Sequence, residues 1–263
     1  MDWAAISPSS DMEVLELGCF IGDKYHLSDD AQEKLENICR KLCDSESSKK
    51  IRQMIMFRNS MDTDIIPVIN AHVEDNLYIY EAMINVLSEL TILIEDHVDV
   101  VNSTTDSNQY HYELVKFLDE VKNKFTNSPL LGKIIPPAHY ILNEDLSYNT
   151  NESNIIQHIF RLIINILNIP EPSNTISDQS VSPKSHSSTT VSSARSQRQN
   201  QIIWNFFAAG LDKFILLAIE KDTDSNQWSA QILEVISLIF KDQSVSQLES
   251  NFSDIQGSKC EST

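Results

Sequence analysis

Five glycines in 263 residues, apolar side chains recurring at three- and four-residue intervals, and almost no apolar–polar alternation together predict an all-α fold. Glycine at about 2% stands against roughly 7% in average proteins, too few for the turns of a β-sandwich or a doubly wound sheet. Amphipathic helices alternate with helices apolar on every side, and the latter belong inside a helical protein. The expected architecture is an armadillo- or HEAT-like α-solenoid carrying one long disordered insert, although no strict sequence period is present.

The first helix is expected after a cap at Ser28-Asp29-Asp30, where Leu35, Ile38 and Leu42 repeat at helical spacing through about Cys43. Ser47 or Ser48 would cap a second, with Ile51 and Ile55 on its inner face and Arg52 and Arg58 outside. Asp62-Thr63-Asp64 opens a short third helix that tolerates Pro67 in its first turn. A fourth spans about Asp75 to Leu90, and a fifth Tyr110 to about Phe125, where Leu114, Phe117, Leu118, Val121 and Phe125 share one face. Ser128-Pro129 begins a stretch that Pro136-Pro137 should break or kink. Ser153–Ile169 is apolar nearly all round and stops at Pro170. Two hydrophobic helices, Gln201–Glu220 and Gln227–Lys241, close the folded part, with Leu233 expected in the core, where Leu233→Ala would cost about 2–5 kcal/mol.

The organisation implied is a helical domain over residues 1–243, interrupted at 171–200, and a polar tail over 244–263 that is expected to be disordered. The interruption is rich in Ser and Thr and too poor in apolar residues to bury itself. Within it Ser182-Pro183 offers a proline-directed phosphorylation site, against the blander reading of a tolerated surface insertion. Its charges sum to +1, so the rest of the chain carries −19, and the overall −18 argues against direct DNA binding by a basic surface.

The apolar runs Ile155–Ile169 and Ile202–Ile219 contain His158, Arg161, Asp212 and Lys213, and a charge at mid-bilayer costs roughly 2.5–3.5 kcal/mol, so both read as helices buried in protein. No membrane association is expected. Cys19, Cys39, Cys43 and Cys260 follow no secreted-domain spacing, and Met1-Asp2-Trp3 lacks a basic signal-peptide start; a reducing, nuclear or cytoplasmic compartment is expected.

No P-loop, G-x-G-x-x-G, H-E-x-x-H or G-x-S-x-G is present, and neither catalytic residues nor cofactor are expected; a helical enzyme is the remote alternative. Cys39 and Cys43 lie at i, i+4 and could share a metal, but no His or Cys pair at zinc-site spacing accompanies them, so two small half-buried residues is the preferred reading and no metal is expected. His158 reads as a satisfied core or surface residue, and Asp62 and Asp64 as helix-start acids rather than paired catalytic carboxylates. Trp3 either packs back on the first helix or anchors a partner, the former being the ordinary expectation.

Five blocks carry a resemblance. Leu17-Gly18-Cys19-Phe20-Ile21-Gly22-Asp23-Lys24-Tyr25 is similar to an LG-x-x-x-GD-x-Y opening, followed by Asp64-Ile65-Ile66-Pro67-Val68-Ile69 and Asn85-Val86-Leu87-Ser88-Glu89-Leu90-Thr91. Arg161-Leu162-Ile163-Ile164-Asn165-Ile166-Leu167-Asn168-Ile169-Pro170 is the fourth, and Trp228 through Ile232-Leu233-Glu234-Val235 to Lys241-Asp242-Gln243 the fifth. In this order over residues 17–243 they resemble the N-terminal domain of the Timeless family. One departure is Ile92-Leu93, where the family pattern places a proline. Family members continue for many hundreds of residues, so this chain is expected to be a fragment or truncated product.

The resemblance implies a non-enzymatic nuclear and cytoplasmic scaffold with one of two roles. In the clock branch, members act with Period in repressing clock transcription and are bound by cryptochrome for light-dependent degradation. In the replication branch, members work with Tipin and other fork proteins in fork protection, checkpoint signalling and cohesion. Met1-Asp2-Trp3, Cys19 and the Ser-rich insert resemble the clock branch, whereas Ala209-Gly210-Leu211-Asp212 and the Trp228 block look at least as much like the replication branch. The clock branch is the preferred expectation, and under it Met1, Asp2 and Trp3 are candidates for a tail that docks in a cryptochrome pocket.

Overall fold

A computed structural model describes residues 15–93, 105–143, 150–170, 188–222 and 227–241. Among them the chain forms one short hairpin and ten α-helices. The hairpin pairs β1 (Gly18–Ile21) with β2 (Lys24–Leu27) antiparallel, Gly18 opposite Leu27 and Ile21 opposite Lys24. Gly18 permits a close approach, since a Cβ there would lie 2.1 Å from the carbonyl oxygen of His26. Ser28 Oγ donates to the carbonyl of Leu17 at 3.0 Å, joining the hairpin's two ends just before the first helix.

Helix α1 (Ala31–Cys43) buries Ala31, Leu35, Ile38 and Leu42 and exposes Gln32, Glu33, Glu36 and Arg40, an amphipathic pattern of period 3.6. Helix α2 (Ser45–Phe57) is capped by Asp44, whose carboxylate accepts from Ser47 N at 3.1 Å, not by Ser47 or Ser48. A π-helical turn, Met61–Ile65, leads into α3 (Ile66–His72), which takes Pro67 in its first turn. Helix α4 (Leu77–Leu90) starts at Asn76, whose Oδ1 accepts from Tyr78 N and Ile79 N at 3.1 and 3.2 Å.

Helix α5 covers Thr105–Lys124 and α6 Ser128–Asn143. Of the break or kink expected at Pro136-Pro137, the break is absent, and α6 runs through both prolines. Leu130, Leu131, Ile134 and Ile135 are buried before the prolines and Ala138, Ile141 and Leu142 after them, so packing on both sides outweighs the lost amide donors. Helix α7 (Thr150–Asn168) buries Ile155, Ile156, Ile159, Phe160, Ile163 and Ile166.

Three further expectations are corrected in the C-terminal third. Helix α8 (Ser188–Ala208) begins inside the tract read as disordered, so Ser188–Asn200 is helical; residues 171–187 lie outside the described residues. The single helix expected over Gln201–Glu220 is two, because Gly210 turns to φ +95° and separates α8 from α9 (Leu211–Lys221) with a 62° bend. Helix α10 (Ser229–Phe240) carries Leu233 on its outer face at 67% exposure, so Leu233 is not in the core of the described residues and its truncation leaves no cavity there.

Packing partners recur at every third helix. Helix α1 lies against α4, α4 against α7 and α7 against α10, while α3 meets α6, α6 meets α9 and α2 touches α5. Buried bridges join these rows: Tyr80 of α4 donates to the carbonyl of Ile134 on α6 at 2.7 Å, and the rings of Phe160 on α7 and Phe214 on α9 lie 5.1 Å apart. Among the described residues no single helix is long and apolar enough to cross a membrane.

Candidate interaction surface

The recognisable sequence blocks converge on polar clips that hold helix ends. The most elaborate sits at the C-terminus of α4, where a helix leaves its last carbonyls without intrahelical donors. The carbonyl of Leu87 accepts from Thr91 N at 3.1 Å and Thr91 Oγ1 at 2.8 Å. That of Ser88 accepts from Asn165 Nδ2 on α7 at 2.9 Å, and that of Leu90 from Arg52 Nη1 on α2 at 2.8 Å. Arg52 Nη2 takes the Glu89 carbonyl, and its Nε donates to Ser48 Oγ at 3.2 Å. Every orphan carbonyl of the last turn is thus satisfied, and a guanidinium charge rests where the helix dipole is negative.

Arg52 was expected outside; it is 3% exposed. Burial lowers its pKa, yet a guanidinium stays charged in proteins, so its charge must be met by these carbonyls and the nearby Glu89 carboxylate. Glu89 itself accepts from Arg161 Nη1 at 2.6 Å. Beside them His158 Nδ1 lies 2.9 Å from Ser88 Oγ, and burial holds its pKa below the ordinary histidine value. His158 is therefore a satisfied side chain, as expected.

Asp62 and Asp64 lie in the first turn of the π-helical segment, as expected of helix-start acids. Asp64 is also buried there, and its Oδ1 accepts from Leu17 N at 3.2 Å and from the Tyr25 hydroxyl at 3.3 Å. Burial first, then the Asp64 charge, push the Tyr25 phenol far above its usual range. The opening block and the second block are thereby one unit, a hairpin pinned to a helix. Asp62 faces outward and pairs with Lys124 Nζ at 2.7 Å.

Similar clips hold the later helices. Lys122 of α5, 1% exposed, donates to the Ile169 carbonyl at 2.6 Å just past α7. Asn205 of α8 donates to the Thr126 carbonyl at 2.8 Å, and Arg198 Nη2 meets Asp119 at 2.6 Å. Asp222 accepts from Gln227 N, Trp228 N and Ser229 Oγ at 2.6, 3.0 and 2.8 Å, fixing the start of α10. Short polar residues at loop edges thus explain much of the recognisable pattern.

Nucleophilic chemistry finds little support in the cysteines. Burial, then neighbouring Cys43, push the Cys39 thiol up to about 12, and burial raises Cys43 as well, so both stay protonated near neutrality. Cys39 is half-buried as expected, whereas Cys43 is exposed. Among the described residues no three His, Cys, Asp or Glu side chains gather closely enough to hold a metal ion.

What remains available for partners is apolar and external. Helices α8, α9 and α10, expected in the interior, expose Trp204, Phe207, Leu216, Ile219, Leu233 and Phe240 while burying Ile202, Phe206, Phe214 and Val235. Hydropathy alone cannot separate these sets, because both faces of each helix are apolar. Exposed aromatic and aliphatic groups of this kind are the usual anchors of protein interfaces. Met1, Asp2, Trp3 and Ser182 lie outside the described residues.

Comparison with known proteins agrees with this architecture-bearing pattern. Residues 24–263 match the sequence profile of the family described as Timeless protein. Protein timeless of Drosophila melanogaster is 30% identical over 257 residues, covering 95% of this chain and 17% of that protein. The human Protein timeless homolog is 24% identical over 240 residues and its mouse counterpart 23% over 233, each covering 88% of this chain and 18% of the relative. This chain spans less than a fifth of the length of these relatives. Tyr25 with Asp64, the capped end of α4 and the Trp228 clip all fall within residues 24–263, and the chain belongs to the Timeless family.

Proposed function

We propose that this chain is a non-enzymatic helical scaffold for protein partners, built as an armadillo-like stack. Packing between every third helix supports the stack, since three-helix layers bring equivalent helices side by side. The observation that carries the scaffold reading is the set of apolar side chains left open on α8, α9 and α10, led by Trp204 at 69% exposure.

Within the family we favour the clock role: action with Period in nuclear repression of clock transcription, and capture by cryptochrome for light-dependent degradation. The broader and closer match to the fly protein, 30% identity over 95% of the chain against 24% over 88% for the human homolog, supports that branch. Met1, Asp2 and Trp3 would supply the cryptochrome-docking tail, and Ser182 a phosphorylation site in a chain that moves between cytoplasm and nucleus.

The test is co-precipitation of this chain with cryptochrome, in light and in darkness, beside Tipin in the same extract. Light-enhanced cryptochrome capture without Tipin is the expected result. Tipin capture indifferent to light would instead assign the replication-fork role and overturn the clock reading. Trp3→Ala should abolish cryptochrome capture without altering Period capture; unchanged cryptochrome binding would sink the docking tail.

A further inference from the structure

The thiols of Cys39 and Cys43 take no part in the clips that hold the helix ends. They stand four residues apart on α1, which sets their Cβ atoms about 5–6 Å apart on one side of the helix. Their side chains hydrogen-bond to one another. Cys39 is half-buried against the core, whereas Cys43 is exposed, so the pair opens to water at one end. The reading of two half-buried residues therefore fails at Cys43, and the pair is reachable from outside.

We propose that Cys39 and Cys43 together form a two-coordinate site for Cu(I), a soft monovalent cation, near the C-terminal end of α1. Sulfur atoms in hydrogen-bond contact stand at nearly the separation that two thiolates take on either side of one linearly coordinated ion. Thiolate sulfur favours soft cations of this kind. Zn(II) takes four ligands, and among the described residues no third His, Cys, Asp or Glu side chain joins the pair. A linear ion needs none.

Binding breaks two S–H bonds and forms two Cu–S bonds; both protons pass to water and copper stays in the +1 state. Two thiolates against one cation leave the occupied site with a single negative charge. Arg161 favours negative charge at both sulfurs and Arg52 favours it at Cys43, while Glu89 opposes them. Both guanidinium groups are held in place, Arg52 by the carbonyl ends of α4 and Arg161 by the Glu89 carboxylate. The clip that closes α4 thus also supplies the cationic surroundings of the site.

Anaerobic titration of the full chain with Cu(I), held by a competing chromogenic chelator, tests the proposal. The unsubstituted chain should withdraw one ion from the chelator. Cys39→Ser and Cys43→Ser should each weaken uptake by at least about a hundredfold, with far-UV circular dichroism unchanged. Because Cys43 is exposed, its substitution leaves the core intact and keeps the test valid should Cys39→Ser unfold the chain. Cys19→Ser with Cys260→Ser should retain full uptake, and copper X-ray absorption should show two sulfur neighbours and no nitrogen. Equal uptake by Cys43→Ser, loss of uptake in the Cys19 and Cys260 double variant, or no uptake by the unsubstituted chain would each overturn the proposal.

Discussion

The junction of α4 with α7 and the outer faces of α8 to α10 reverse the usual distribution of side chains. At the junction, Arg52, Glu89, Ser88 and Thr91 are buried, and a charged guanidinium sits inside the protein. On the C-terminal helices, Trp204, Leu216 and Leu233 face water at 67–69% exposure. The first arrangement is stable because Arg52, Glu89, Ser88 and Thr91 each have hydrogen-bond partners; the second costs little locally, since scattered apolar surface is common. Recognisable residues therefore cluster where the fold needs them, while surface suited to partners is built from residues that look like core.

The contrast makes unequal demands on stability. Arg52→Met should have the largest effect, about 2–4 kcal/mol by urea denaturation, because it strips donors from the Glu89 and Leu90 carbonyls together. Arg58→Met, just past the C-terminus of the same helix and half-buried, should stay within about 0.5 kcal/mol. Equal costs would show that the α4 end does not depend on its guanidinium.

Acidification comes next. His158 has a folded pKa below its unfolded value, chiefly through burial, with Arg161 acting in the same direction and Glu89 opposing. The unfolded chain therefore binds the proton first, so this residue's contribution is complete above the ordinary histidine pKa near 6.5 and declines as pH falls below it. Denaturation midpoints between pH 7.5 and 5 should fall less steeply in His158→Gln than in the unsubstituted protein. A larger slope in the variant would reverse the sign assigned to burial.

The smallest effect on stability belongs to the surface. Trp204→Ala should shift unfolding by no more than about 0.5 kcal/mol while reducing capture of whichever partner binds α8 to α10. If Trp204→Ala destabilised the protein as much as Arg52→Met, the comparison would collapse, because Trp204 would be core.

Much of this was legible from sequence. The inner faces of α1, α4 and α5 follow directly from residues such as Leu35, Tyr80 and Phe117 at helical spacing, and α7 reads as a buried apolar helix. The hairpin was not, because four-residue strands are too short to display alternation. Gly210 inside an apolar run was a visible break signal, obscured by the hydrophobicity on either side of it. Arg52 gave no local sign of burial, since its acceptors are backbone carbonyls 37 and 38 positions away. The burial of Asp64 was hidden for the same reason: its partners, Leu17 and Tyr25, come from the distant hairpin. The helical class was readable, but which helices face outward depends on where each row stops.

Pairing between every third helix also sets the order in which the protein can be made. Helix α1 cannot cover its face until α4 is complete, a few seconds later at about 5–20 residues per second of synthesis. Thereafter α7 finds α4 waiting and α10 finds α7, so each emerging helix in that row docks on a finished template instead of searching among equals. A ribosome paused partway would display one layer's worth of sticky surface, not an entire unassembled core. Nascent chains of this design ought to need chaperone shelter most at the beginning, before the first pair has met.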